Sequence, residues 1–318
     1  DLKCIPNVAK EPICHALNLS HSLFVIPFQQ LLNLMAVLGK EVGSRTVCKS
    51  PMLDRMSCRI DKSVAEWESQ YTGDFDTCGK GKSALLAALV RNVRAETTVA
   101  HGRLAACLFN DFEKFFDSID IDTIMSKAMK MEFPFATLIY ILAKHTAPRV
   151  IQVSGNLCSR TIPVHCSILP GCKFAIALTR ALLAEEYNQL VADHPKVLLS
   201  SYVDDSPAYS DGGYDDILNN FKKFSKDFAK ACRRLKLKLS GKAGVVCTSE
   251  RLAKELARFF NSVGVVCSVY LAYRDLGVNF SAQAATRIAT KDLAKVSKLH
   301  KKVLKNRMHK SQSKINRI

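Results

Sequence analysis

No apolar run in the 318 residues approaches the ~20 needed to cross a bilayer, so a membrane-spanning helix is excluded. The opening residues Asp1-Leu2-Lys3-Cys4 carry neither an initiator Met nor a signal-peptide pattern, and the expectation is a piece of something longer working inside the cell. No CxxC pair occurs among the 12 cysteines, so the spacings of a zinc ribbon or a disulfide framework are missing. Scattered through apolar segments (Cys107, Cys166, Cys247, Cys267), the cysteines read as small buried hydrophobes in a reducing compartment, cytoplasm or nucleus, with an organelle as the alternative. Low-complexity tracts and repeats are also absent, and 48% hydrophobic residues give enough apolar material for a substantial core. Acid is in short supply, with 29 Asp plus Glu against 46 Lys plus Arg and a formal net charge of +17. Such an excess points to a polyanionic partner, nucleic acid before membrane, and says nothing about chemistry. One glycine is missing as well. Cys78-Gly79-Lys80-Gly81-Lys82-Ser83 ends like a P-loop, but Asp76 stands where the motif needs its first glycine, and the preceding residues are polar. Ser83 reads instead as the start of a helix over Ala84–Val93.

What is present is organised around Leu198-Leu199-Ser200-Ser201-Tyr202-Val203-Asp204-Asp205-Ser206-Pro207-Ala208-Tyr209. An apolar run leads into two adjacent carboxylates and a second short run leaves, the pattern of a β-hairpin with Asp204 and Asp205 at its turn. Neighbouring strand residues point to opposite faces, whereas a turn lets both acids reach one point. Like charges that close raise a pKa unless a cation neutralises them, and oxygen ligands of this kind suit Mg²⁺. A solvated Asp-Asp turn is the plain alternative. A second acid, Asp111, ends the buried-type strand Arg103-Leu-Ala-Ala-Cys-Leu-Phe-Asn-Asp111, where a charge needs a partner or a metal. Asp117 and Asp120 read as structural, available to cap the helix that follows.

The rest of the chain alternates helical and extended patterns. Residues 21–39 look helical after Pro27, and residues 51–69 have helical spacing. A glycine-punctuated turn between them carries Lys40 and Arg45, which read either as a charged hairpin or as two cations turned toward phosphates. Helices are expected over Phe135–Lys144, Phe174–Leu190, Tyr214–Leu235 and Glu250–Asn261. Strands are expected over Arg149–Val153, Arg160–Cys166, Val265–Leu271 and Asp275–Phe280. The last segment, Thr286–Ile318, puts Ala289, Leu293, Val296, Leu299 and Val303 on one helical face among many cations.

Together these parts resemble a reverse transcriptase of the non-LTR retrotransposon and group II intron kind, over roughly residues 25–285. Asp111-Phe-Glu-Lys-Phe-Phe-Asp-Ser-Ile resembles the family's motif A, Leu169-Pro170-Gly171 its motif B, and Tyr202-Val203-Asp204-Asp205 its motif C. Leu239-Ser240-Gly241-Lys242 resembles the motif D lysine region, and Leu276-Gly277-Val278 the motif E primer grip. The chain departs from the family at Pro170, where motif B has Gln, and at Cys172-Lys173-Phe174-Ala175, where Pro and Ser are usual.

The resemblance implies an α+β right-hand polymerase, an antiparallel palm sheet packed on helices. Residues 1–100 would be fingers, 101–133 palm, 134–168 a fingers insertion, 169–283 palm again, and 284–318 a basic thumb-like segment. It implies Asp111, Asp204 and Asp205 as ligands of two Mg²⁺ ions (Mn²⁺ as a substitute), and Lys242 as proton donor to pyrophosphate. Lys40, Arg45, Phe112, Phe116 and Gly171 would line the nucleotide site, with Phe116 as the gate against a ribose 2′-hydroxyl. The implied partners are an RNA template with a DNA or RNA primer, and dNTPs. An RNA-dependent RNA polymerase on the same palm plan, and a decayed palm that only binds RNA, are the competing readings.

Overall fold

The computed structural model describes residues 6–27, 31–39, 44–153, 156–157 and 160–282. Lys40 and the basic segment 284–318 lie outside the described residues. In chain order the elements are α1 (Asn7–Ser22), β1 (Asn33–Gly39), β2 (Ser44–Lys49), α2 (Met52–Ile60), α3 (Ser63–Tyr71) and α4 (Ala84–Ala100). Then come β3 (Leu104–Phe109), α5 (Phe115–Ser118), α6 (Ile121–Lys130), α7 (Phe135–Thr146), β4 (Arg149–Val153) and β5 (Asn156–Leu157). The remainder is α8 (Ala175–Asp193), β6 (Leu198–Leu199), β7 (Ala208–Gly212), α9 (Tyr214–Arg234), β8 (Ala243–Cys247), α10 (Glu250–Ser262), β9 (Cys267–Val269), β10 (Tyr273–Asp275) and β11 (Val278–Phe280).

A five-stranded sheet in the order β6-β7-β3-β8-β9 forms the centre. Its middle strand, Leu-Ala-Ala-Cys-Leu-Phe, is apolar throughout, as a strand covered on both faces must be. Alternate side chains divide between two cores. Ala106 and Leu108 face the large one, with Leu178 of α8, Phe221, Phe224 and Phe228 of α9, and Leu256 and Phe260 of α10. Ala105, Cys107 and Phe109 face a smaller one with Ala95 of α4, Tyr209 and Phe280. Helix α9 reaches the sheet because Phe221, Phe224 and Phe228 recur at helical spacing; each buried ring contributes about 1.5–3 kcal/mol.

A four-stranded sheet in the order β2-β1-β4-β5 lies beside this body. Here the structure corrects the expected helix after Pro27, since Asn33–Gly39 is a strand. A short apolar run carries no decisive period, and pairing decides it: Met35 lies opposite Cys48 in the antiparallel partner and opposite Ile151 in the parallel one. Residues 51–69 break into α2 and α3 at Asp61, whose carboxylate accepts the Ser63 N–H (2.9 Å) and thereby starts the second helix. The strand expected over Arg160–Cys166 is reduced to single bridges, Arg149 to Ile162 and Asp120 to Cys166. Helix α1 has no counterpart in the sequence reading. The two strands expected after residue 264 resolve into β9 and a small hairpin, β10–β11. Its two-residue turn, Leu276 (φ 47°) and Gly277 (φ 89°), is left-handed at both positions, the conformation of a tight type I′ hairpin. Helices α4, α7, α8, α9 and α10 form where the periodicity places them. Ser83 caps α4 by accepting the Leu86 N–H, and no helix among the described residues is long and apolar enough to cross a membrane.

Candidate active site

The central strand delivers Asp111 to the end of the sheet. Strand β7 runs antiparallel to β3 with Leu108 opposite Ala208. The ladder continues beyond the strand ends, where the Ser206 N–H donates to the Asn110 carbonyl (2.9 Å). One residue further along the same register, Asp205 comes opposite Asp111. On the other side, the Ser240 N–H donates to the Asp111 carbonyl (2.7 Å) and the Glu113 N–H to the Lys238 carbonyl (2.8 Å). The main chain at Asp111 is thus held from both flanks.

The paired acids sit on a two-residue hairpin turn. The Tyr202 N–H donates to the Asp205 carbonyl (2.8 Å) and the Asp205 N–H returns to the Tyr202 carbonyl (3.1 Å), which leaves Val203 and Asp204 at the tip. Val203 has φ +60°, an outlier for a β-branched residue and the sign a type II′ turn needs at its first central position. Such strain costs about 1–3 kcal/mol and persists only where the surroundings enforce it. Here they do: the Ser201 N–H donates to the Phe75 carbonyl (2.8 Å), the Thr77 N–H to the Ser201 carbonyl (2.8 Å), and the Ser200 N–H to the Pro207 carbonyl (3.0 Å).

The electrostatics report the same convergence. The Asp205 carboxyl is pushed from an ordinary 3.8 to about 7, first by burial, then by Asp204, Asp111 and Asp275, with Arg91 opposing. Tyr273 is raised to about 12, by burial and then by Asp111 and Asp205. Among the described residues, no three His, Cys, Asp or Glu side chains are grouped so as to hold an ion on their own. The donor set nonetheless fits a hard cation. It is all carboxylate oxygen, and at Asp205 burial and the neighbouring acids outweigh the opposing Arg91. Mg²⁺ takes one or two carboxylates and completes its shell with water and phosphate.

The other sequence candidates are placed by contacts of their own. Phe116 is half-buried and meets Phe115 edge-on (5.6 Å between centroids); its carbonyl accepts the Ile168 N–H (2.9 Å). Ile168 leads into a turn in which the Cys172 N–H donates to the Leu169 carbonyl (3.1 Å), with Pro170 second and Gly171 (φ +97°) third, the residues a type II turn selects. A side chain on Gly171 would come within 3.0 Å of Val47 Cγ1 and 3.2 Å of the Cys48 carbonyl, and the Cys48 N–H donates to the Pro170 carbonyl (2.8 Å). The glycine turn therefore abuts the strand that bears Arg45, whose side chain is exposed. Phe112 is 3% exposed and stacked on Phe115 (5.3 Å), so its side chain belongs to the core, and its main chain bridges to Leu239. Lys242 is exposed, its N–H on Ser240 Oγ (3.2 Å), in the loop that also holds the Asp111 carbonyl. Asp120 caps α6 by accepting the Thr123 N–H (2.8 Å), whereas Asp117 accepts from Ser167 Oγ (3.4 Å) and caps nothing.

Three residues beside the acids were not singled out from the sequence: Arg91, Asp275 and Tyr273. Arg91 reads as one more helix cation and Asp275 as a strand-end acid; nothing local signals that they bury one another. Tyr273 stacks on Phe109 (4.6 Å between centroids, planes 8° apart) and donates its hydroxyl to the Lys242 carbonyl (3.1 Å).

No protein-family model and no curated protein sequence matches the chain. By shape it is similar to solved telomerases. Telomerase from Candida albicans, in complex with a TWJ fragment of telomeric RNA, gives a TM-score of 0.53 at 11% identity over 83% of this chain and 47% of that one. Apo telomerase from Candida tropicalis gives 0.53 at 9% identity over 87% and 52%. A form of the latter truncated from its C-terminal domain gives 0.50 at 9% over 74% and 54%. The chain spans about half the length of these proteins. At such identities the likeness carries the fold alone, and it singles out neither the non-LTR retrotransposon nor the group II intron branch. That fold is the right-hand polymerase, reverse-transcriptase-like, with an antiparallel-rich sheet packed on helices.

Proposed function

We propose that the chain is an RNA-directed DNA polymerase of the non-LTR and group II kind. It would join the α-phosphate of a dNTP to a primer 3′-hydroxyl and release pyrophosphate. The observation that supports this most is the ladder that sets Asp205 opposite Asp111 and holds both beside a strained turn. Nothing about packing rewards setting carboxylates opposite one another on neighbouring strands.

Asp111 and Asp204 would be the main ligands for two Mg²⁺ ions, or Mn²⁺ in their place, with Asp205 supporting. When bound, the ions supply charge for activating the 3′-hydroxyl and steadying the leaving pyrophosphate. This chain's own residues do the remaining work. Arg45 and Lys40 neutralise the triphosphate, and Gly171 lets the main chain approach the nucleotide. Phe116 crowds the position of a ribose 2′-hydroxyl, which favours dNTPs. Lys242 hands a proton to the departing pyrophosphate. The excess of 17 positive charges suits an RNA template paired with a DNA or RNA primer.

Primer extension on poly(rA)/oligo(dT) tests the reading, with dTTP against UTP and Mg²⁺ against EDTA. The expected result is dTTP incorporation that EDTA and Asp204→Asn both abolish. Incorporation of UTP instead would assign an RNA-dependent RNA polymerase. RNA binding without incorporation of either would assign a binding protein and overturn the proposal.

A further inference from the structure

The hairpin β10–β11 is an isolated two-stranded sheet of three residues per strand, too small to hold its own position. Flat contacts keep it near the acids: Tyr273 stacks on Phe109, and Phe280 meets the same ring edge-on at 5.3 Å. Strand β8 leaves room for this at Gly244, where a side chain would come within 2.7 Å of both Tyr270 and Tyr273. Stacked rings tolerate sliding, so they fix neither register nor distance.

Directional contacts do: the Tyr273 hydroxyl donates to the Lys242 carbonyl (3.1 Å), and a charged fork reaches the other end of the strand from α4. Arg91, in the middle of α4 and 6% exposed, grips Asp275 (3% exposed) with two parallel bonds, Nε to Oδ2 at 2.7 Å and Nη2 to Oδ1 at 2.9 Å. Its remaining nitrogen, Nη1, donates to Ser200 Oγ (2.9 Å) at the mouth of the acidic hairpin. A single planar guanidinium thereby joins α4, the small hairpin and the Asp204–Asp205 hairpin. A buried ion pair of this sort adds little net stability over apolar residues of equal volume, so its value lies in the arrangement it imposes.

We propose that Arg91 is a positioning residue whose buried fork fixes the β10–β11 hairpin relative to Asp204 and Asp205, and so sets where a primer end lying on that hairpin meets the carboxylates. This rests on the polymerase reading above. Arg91 touches no substrate; it acts through Asp275 and Ser200.

Removing one partner strands a buried charge, so Arg91→Met alone lowers the melting temperature and settles little. The decisive variant is Arg91→Met/Asp275→Leu, which removes both charges and regains most of the lost melting temperature. Its KM for primer–template rises about tenfold or more, while its KM for dTTP stays within about twofold, because misplacement by an ångström is enough to lose that much. Arg91→Lys keeps the charge without the fork and gives an intermediate rise; it serves if the double variant does not fold. Amide exchange over Tyr273–Phe280 speeds up in both variants. Unchanged primer KM in a folded variant, or equal movement of both KM values, overturns the inference. Should the wild-type chain extend no primer, the polymerase reading falls separately. The exchange arm still decides the clamp, and unaltered protection of the hairpin sinks it.

Discussion

Replacing Asp205 by Asn makes the protein more stable at pH 8 and leaves it unchanged near pH 4. The carboxyl is raised from 3.8 to about 7 by burial and by the acids around it. Between those values the native chain holds a proton that the unfolded chain has released. The native state binds more protons there, so stability falls as pH rises through the window. Above pH 7 the whole penalty is present. Three pH units at ~1.36 kcal/mol each set a ceiling of about 4 kcal/mol. The side chain is only partly buried, and solvent screening reduces this to about 1–2 kcal/mol. Asn keeps the shape and removes the charge, so Asp205→Asn should gain that amount at pH 8 in EDTA and nothing at pH 4. Urea unfolding of both proteins at pH 4.5, 6 and 8 measures it. Excess Mg²⁺ at pH 8 should then stabilise the wild type more than the variant, because a ligand of the native state alone raises its stability by mass action. A difference that does not change with pH, or an Asn variant less stable at pH 8, refutes the claim that the three acids repel one another across the turn.

Gly171→Ala must adopt φ +97° and press its methyl against Val47 Cγ1 at 3.0 Å; a loss of about 1–3 kcal/mol in urea unfolding is expected, with dTTP incorporation falling alongside. His145 is fully buried, and burial, then Arg149 and Lys144, hold its imidazole down to about 3. The unfolded chain takes up that proton below ~6.5 and the native chain does not, so stability drops by ~1.4 kcal/mol per pH unit as pH falls from 6.5 toward 3. His145→Leu should flatten this limb of the acid-unfolding curve and leave stability at pH 8 little changed. Phe116→Ala, under the proposed function, should raise UTP use relative to dTTP by about 10–200-fold, read as the ratio of kcat/KM values; an unchanged ratio removes Phe116 from the nucleotide site.

What could be read from residues alone, and what could not, follows from how far each interaction reaches along the chain. The Pro170-Gly171 turn and the caps at Ser83 and Asp120 are set by residues within a few positions, so composition betrays them, whereas the expected Asp204–Asp205 turn falls on Val203–Asp204, in a strained form that distant contacts with Phe75 and Thr77 enforce. Strand β3 is legible because an apolar run that ends in an acid has few places to go, and α9 because its phenylalanines keep helical time. Strand β1 is illegible for the opposite reason. Its seven residues suit a helix or a strand equally, and the choice falls to β4, which lies beyond six intervening helices and the strands β2 and β3. The same reasoning divides the site. Asp111 and the Asp204–Asp205 pair stand at the ends of apolar runs, where an acid draws attention, although the pair taken alone reads equally as a solvated turn. Arg91 and Asp275 cost nothing on their own in sequence, and their meaning exists only as a pair. Where a chain spends buried charge on a contact between distant segments, the arrangement of those segments is what the charge secures, and the acidic turn and the small hairpin are the two pieces that Arg91 holds together.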